Sequence, residues 1–163
     1  MRALAFFLLA ACGVARDHGQ SDWERLHMKP ELSEERVDPP APPRTQTLLE
    51  FGLISRGDFR FFIDGATLNP GKDGVVRYVL VARSPAGAEN ITYEGMRCAT
   101  GEVRRYAIGR PDGTWGGKPG AWLPVQAQLW HRELARNFFC RHRQPIDDRD
   151  EGVRALREGG LDR

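Results

Sequence analysis

The sequence contains no apolar run approaching the ~18 residues that a membrane-crossing helix needs, which excludes a multi-pass membrane protein. It has little net charge. Its 24 Lys and Arg stand against 22 Asp and Glu, leaving +2 over 163 residues. That is too little to hold a polyanion by electrostatics alone, so no nucleic-acid partner is expected. Catalytic signatures are missing: there is no Gly-x-Ser-x-Gly, no His-Glu-x-x-His and no Gly-x-x-x-x-Gly-Lys-Ser/Thr. Cysteine is scarce, three in all, and never in the Cys-x-x-Cys spacing that makes a zinc site convincing. The composition carries none of the biases of collagen, coiled coil or full disorder, and the length fits one domain with tails.

The N-terminus holds an address. Met1-Arg2 gives one positive charge, Ala3 to Ala11 is unbroken apolar sequence, and Leu9-Ala10-Ala11-Cys12 follows. A charged start, a short apolar core and small residues before a cut are the parts of a secretory signal. Leu-Ala-Ala-Cys resembles the lipobox of bacterial lipoproteins, which implies that Cys12 is the lipidated first residue of the mature chain. Gly13, in place of Asp after that Cys, implies the outer membrane in a Gram-negative cell. The eleven residues ahead of Cys12 are short for such a signal (roughly 15–30 is usual). An ordinary cleaved signal, with Cys12 incidental, is the alternative.

With Cys12 lipidated, Cys98 and Cys140 remain as an even pair in an oxidising compartment. A bridge would close a loop of about 43 residues, worth about 4 kcal/mol by chain entropy. Two separate buried thiols, or a metal site with His131 or His142, are the alternatives.

Four zones follow from composition: a signal over 1–11, a polar proline-rich tether over 12–46, a β-rich domain over 47–140 and a charged tail over 141–163. From Asp17 to Gln46 there are seven acidic and four basic residues, ending in Pro39-Pro40-Ala41-Pro42-Pro43. Such a stretch reads as an extended, polyproline-like spacer holding a domain away from a membrane. Trp23, Leu26 and Met28 form at most one short helical patch.

The domain itself reads as an α+β fold, mainly β. Leu48 to Ile54, Phe59 to Asp64, Val75 to Ala82, Glu89 to Cys98, Val103 to Gly109 and Thr114-Trp115 are strand candidates. Turn signals part them at Arg56-Gly57-Asp58, Asn69 to Gly74, Ser84 to Gly87, Thr100 to Glu102 and Arg110 to Gly113. Five or six short strands on hairpin-length connections make an antiparallel meander, open or half-rolled. From Pro124 onward, Ala127, Trp130, Leu134 and Phe138 recur at helical spacing, so one amphipathic helix covers the sheet. The tail has six acidic and six basic residues, with at most a marginal helix over Asp150 to Glu158 that no core demands.

Candidate chemistry is confined to charged groups. Arg77, Arg97 and Arg105 can meet across neighbouring strands as a guanidinium cluster able to hold a carboxylate or phosphate. Glu94 and Asp64 join that candidate set, although Glu94 and Arg97 fall on opposite strand faces. The bland alternative is that Asp64, Glu94 and Asp112 satisfy those arginines internally or brace turns. Arg110, His131 and His142 complete the candidates; a lone histidine beside a helix more often caps or packs. Trp115 and Trp122 flank a glycine-rich loop, where they either pin it or face a glycan or peptide. No cofactor and no metal are expected.

The runs Gly71 to Tyr78, Ser84 to Asn90, Tyr93-Glu94-Gly95-Met96-Arg97-Cys98, Arg105-Tyr106-Ala107 and Gly109-Arg110-Pro111-Asp112-Gly113-Thr114-Trp115 together resemble the cryptic neisserial protein-like family of proteobacterial envelope proteins. The resemblance spans about residues 50 to 140. It implies an exported protein and carries no catalytic residue. Two functional expectations follow. One is a non-catalytic envelope lipoprotein, membrane-held through its N-terminal lipid, whose domain binds an envelope protein or cell-wall component. The other is a small envelope enzyme or anionic-ligand carrier using the arginine and carboxylate set.

Overall fold

The computed structural model describes residues 34–36, 38–52 and 59–162. The signal, Cys12, the Trp23–Met28 stretch and the Arg56-Gly57-Asp58 turn lie outside the described residues.

One antiparallel sheet of eight strands organises the domain. Its strands are β1 (Leu48–Phe51), β2 (Arg60–Asp64), β3 (Asn69–Pro70), β4 (Val75–Arg83), β5 (Glu89–Arg97), β6 (Glu102–Gly109), β7 (Trp115–Gly116) and β8 (Leu123–Pro124). The spatial order is β1-β2-β4-β5-β6-β7, with β3 paired to β4 and β8 to β6. Sequence neighbours are mostly spatial neighbours, as short turns between period-two segments require. The fold is therefore α+β, mainly β, and a meander.

β4 is central and covered on both sides. Val76, Tyr78 and Leu80 enter the larger core on one face, with Ile63, Met96, Leu134 and Phe139. Val79 and Val81 enter a smaller cluster on the other face, with Phe62, Tyr93 and Ala107. An unbroken apolar run with a single charge, Arg77, is what a doubly covered strand needs. Between β5 and β6 the register slips at Tyr93/Glu94: Tyr93 faces Ala107 while Glu94 faces Arg105. This bulge leaves Tyr106 as the extra residue.

The helical segment over the larger core changes pitch as it goes. Val125–Ala127 is a 3-10 turn, α1 runs Leu129–Glu133, and Leu134–Phe139 is wound as π-helix. The wider π turn lets two consecutive aromatics point inward. Phe138 meets Phe51 at 5.8 Å and Phe139 meets Tyr78 at 5.0 Å between ring centroids. Immediately after it, the Cys140 sulfur lies at disulfide distance from that of Cys98, with Cα atoms 5.5 Å apart. The pair ties the end of β5 to the end of the helical segment.

The last two dozen residues contribute more than their composition announces. β9 (Cys140–Arg141) and β10 (Gln144–Pro145) form a small hairpin whose turn places His142 and Arg143 at φ 51° and 67°. Then α2 spans Arg149–Glu158. Asp148 caps it, accepting from the Glu151 N–H at 2.7 Å, and Gly159 ends it at φ 85°. Ala155 and Leu156 are buried in the larger core with Ile146 and Leu68. Gly152 permits the approach: a Cβ there would sit 2.5 Å from Leu68 Cδ2 and 2.6 Å from Ile146 Cδ1. Two buried apolar residues and one missing side chain dock a helix whose remaining residues are almost all charged.

Candidate functional site

The sheet separates the charged candidates onto two faces. On the helix-covered face, Glu94 stands opposite Tyr78 and is buried. Thr92 Oγ1–H donates to Glu94 Oε1 at 2.8 Å, and His131 Nε2 lies 2.8 Å from Glu94 Oε2. Burial, then the nearby Glu94 carboxylate, holds the Tyr78 hydroxyl well above the ordinary tyrosine range. The Tyr78 hydroxyl, His131 Nδ1 and Trp130 Nε1 are buried without a hydrogen-bond partner. A carboxylate against an imidazole is general-base geometry. Here the pair is closed over, at 5% and 9% exposure, and the Thr92 hydroxyl already donates to the carboxylate. His131 thus joins Glu94, a pairing that strand and helix patterns could not show separately.

The opposite face carries the arginines. Arg77 is fully buried and grips Asp73, with Nη1 3.0 Å from Oδ1 and Nη2 on Oδ2. Burial alone would raise the Asp73 carboxyl. Hydrogen bonds from Arg77 and from the N–H groups of Glu35 and Val75 outweigh it and hold the carboxyl below its usual range. Arg97 is also on this face, 8% exposed, with its Cζ 4.1 Å from the centre of the Trp122 ring. Glu102 faces it across β5 and β6, and the Arg97 Nε is buried without a hydrogen-bond partner.

The third member of the cluster is Arg104, not Arg105. Gly95 faces Arg104 across β5 and β6, which puts Arg104 on the face of Arg77, whereas Arg105 faces Glu94 and is exposed. One residue of register decides the matter, because side-chain direction alternates with every step along a strand. Arg104 Cζ lies 5.9 Å from the ring centres of both Trp122 and Tyr106. Gly95 leaves the room for Tyr106: a Cβ there would sit 2.6 Å from the Tyr106 hydroxyl.

The remaining candidates brace the scaffold. Asp64 is buried and accepts from the Ala66 N–H at 3.1 Å, closing a turn without touching an arginine. Asp112 accepts from the Thr114 N–H and hydroxyl, which hold its carboxyl below the usual range. Arg110 folds over the same turn, and His142 sits exposed at the β9–β10 tip. Among the described residues no group of three or more His, Cys, Asp or Glu is placed to hold a metal ion.

A strap crosses the arginine face. Residues 34–36 and 38–43, from the proline-rich stretch, lie along it. The Glu34 carboxylate accepts from Arg104 Nη1 at 2.7 Å and from the Tyr106 hydroxyl. The Glu35 N–H donates to Asp73 at 2.8 Å, and the Glu35 carbonyl accepts from Arg77 Nη2 at 3.1 Å. The Pro40 carbonyl accepts from Trp115 Nε1 at 2.6 Å. Burial, then the bond to Glu34, holds the Tyr106 phenol far above its ordinary range. A cleft of about 470 Å³ remains between strap and sheet, with Glu34, Asp38, Arg104, Tyr106 and Trp115 on its walls. Among the described residues this face thus sets Arg77, Arg97 and Arg104 beside a phenol and two indoles, with Asp73 on Arg77 and Glu34 on Arg104.

The sequence model of the CNP1-like family matches residues 27–157. No curated protein and no solved structure matches the chain.

Proposed function

Since the chain belongs to the CNP1-like family, we propose that it is an exported envelope lipoprotein, anchored through Cys12, whose sheet domain binds an anionic group on a partner at its arginine face. Arg97 carries this reading. Its guanidinium is nine-tenths buried and stacked on Trp122, and its Nε–H has no acceptor, so a donor is left for an anion to complete. Arg104, held by Glu34, lies beside it, and Trp122 supplies a rigid wall for a ligand to slide against. The leader-like start and lipobox-like Leu9-Ala10-Ala11-Cys12 support an envelope address, where carboxylates and phosphates are abundant on cell-wall and protein surfaces. An enzymatic role would fall to Glu94 and His131, and the helical segment closing over them argues for a structural one.

The test is a tryptophan-fluorescence titration of the full chain with a carboxylate-bearing peptidoglycan fragment, an acidic peptide and inorganic phosphate in turn. Saturable binding to at least one, weakened tenfold or more by Arg97→Gln and by added salt, is expected. Absence of binding to all three, or equal binding by the variant, would sink the reading. Intact mass of the envelope-derived chain, starting at Cys12 with its acyl groups, tests the anchor.

A further inference from the structure

We propose that strap and sheet together form a saccharide-binding site, in which a sugar ring of an uncharged glycan chain stacks on Trp115 in the cleft between them. The cleft's 470 Å³ falls within the about 300–1,000 Å³ usual for small-ligand sites. Its walls come from both layers: Glu35, Arg36 and Asp38 from the strap, Arg104, Tyr106 and Trp115 from β6 and β7. Neither Arg97 nor Trp122 borders it, so the site is distinct from the one proposed above. The charge on these walls favours a neutral ligand. Glu34 and Arg104 already neutralise one another at 2.7 Å. What remains is the carboxylates of Glu35 and Asp38 and the guanidinium of Arg36, all three residues exposed. Those groups take none of the bonds that fasten the strap, which use the Glu34 carboxylate and main-chain atoms. An organic anion entering here meets two carboxylates, and an organic cation meets two arginines. A polyol meets no such conflict, because each hydroxyl can donate to a carboxylate or accept from a guanidinium.

The aromatic walls narrow the class to a ring. Tyr106 and Trp115 are half-buried, and each lies against the buried Tyr93, at 5.3 and 6.2 Å between centroids. The Trp115 Nε1–H is spent on the Pro40 carbonyl, so the indole offers the cleft its ring and not its donor. One face of a pyranose presents C–H groups and an aromatic face is electron-rich, so the two stack while the hydroxyls on the sugar's rim stay available to the strap. Rigid rings make such a contact at little entropic cost. Trp115 also borders a second cleft, of about 350 Å³, together with Pro42, Pro43, Ile91 and Pro111. The strap walls both clefts and Trp115 is common to them, so consecutive units of a glycan chain can occupy the two.

The experiment is isothermal titration calorimetry of the full chain with chitotetraose and cellotetraose, both uncharged, with N-acetylglucosamine and glucose, and with spermidine as a cationic probe. Saturable binding of at least one tetrasaccharide is expected, with a Kd below about 1 mM. It should be tighter than binding of the matching monosaccharide and indifferent to added salt, unlike the anion titration above. Trp115→Leu, which keeps apolar bulk and loses the flat ring, should weaken it tenfold or more. Trp115→Phe keeps a ring and loses the bond to Pro40, and should weaken it by no more than about threefold. Asp38→Ala, at an exposed strap position where the fold is not at stake, should weaken it about fivefold. Circular dichroism checks that each variant is folded. No binding of either tetrasaccharide, or binding that survives both Trp115→Leu and Asp38→Ala, overturns the site and leaves the anion reading at Arg97 standing. Equal affinity for tetrasaccharide and monosaccharide overturns the use of the second cleft. Spermidine binding that Asp38→Ala weakens, with no sugar bound, assigns the cleft to a cation and overturns the saccharide.

Discussion

Glu34 and Arg104 meet at 2.7 Å across seventy positions of sequence, and their contact closes a polar, proline-rich segment onto the sheet. Both side chains are mostly buried, at 18% and 27% exposure, so the pair is more than a surface ornament and less than a buried ion pair. About 1 kcal/mol is a fair value for it.

The strap should open before the domain does. Glu34→Gln removes one charge without changing shape, and trypsin cleavage after the exposed Arg36 should then accelerate about fivefold while the unfolding midpoint moves little. Unchanged cleavage would mean that Glu34 holds nothing in place.

Acid should loosen the same region. The Asp73 carboxyl is held below its unfolded value, so it contributes stability that is fully present above about pH 4 and is lost as pH falls through its folded value. Urea unfolding between pH 7 and pH 3 should show this loss, and Asp73→Asn should flatten the slope while lowering stability at pH 7. A slope that survives in the variant would assign the effect elsewhere.

The buried Glu94–His131 contact makes a larger demand. His131→Ala leaves the Glu94 carboxylate with only the Thr92 hydroxyl among its described hydrogen bonds and opens a hole under the helical segment. We expect a loss of about 3 kcal/mol or more in equilibrium denaturation. A cost below about 1 kcal/mol would show that the site rearranges freely.

Gly95→Ala should damage the arginine face from behind. Its Cβ would fall 2.6 Å from the Tyr106 hydroxyl and 2.8 Å from Val75 Cγ1, in the middle of the sheet. Overpacking of this kind costs about 1–3 kcal/mol, and Tyr106 has to swing away from Glu34. Chemical denaturation reads the first effect and strap cleavage the second; wild-type values in both would refute the packing argument.

Much of this architecture was legible from residues alone. The alternation in β2, β5 and β6, the doubly apolar β4 and the glycine-marked turns gave strands within a residue or two. The stripe Trp130, Leu134, Phe138 gave the covering helical segment, and cysteine parity gave the Cys98–Cys140 pair. The arginine cluster was legible as an idea but not in its membership. The bulge leaving Tyr106 extra lies between strands, where no single-strand periodicity reports it, and it sets Arg104 rather than Arg105 on the face of Arg77. The span of α2 was legible as a marginal helix, but its docking on the core was not, because Gly152 works by what it lacks and composition counts only what is present. The strap escaped because its holds are long-range side-chain contacts in a segment without period.

The way the strap is fastened has a mechanical meaning. Tension on the chain ahead of Glu34 falls on Arg104, Tyr106, Asp73, Arg77 and Trp115 in succession, not on a ladder loaded in parallel. Behind them, β1 is laced to β2 from Leu48↔Asp64 to Phe51↔Phe61 and resists as a unit. Contacts that yield one after another peel at low force, while paired strands pulled along their length shear at high force. The stretch 34–47 therefore pays out first, to at most about 46–50 Å when fully drawn, and the arginine face is uncovered before any strand of the sheet bears load.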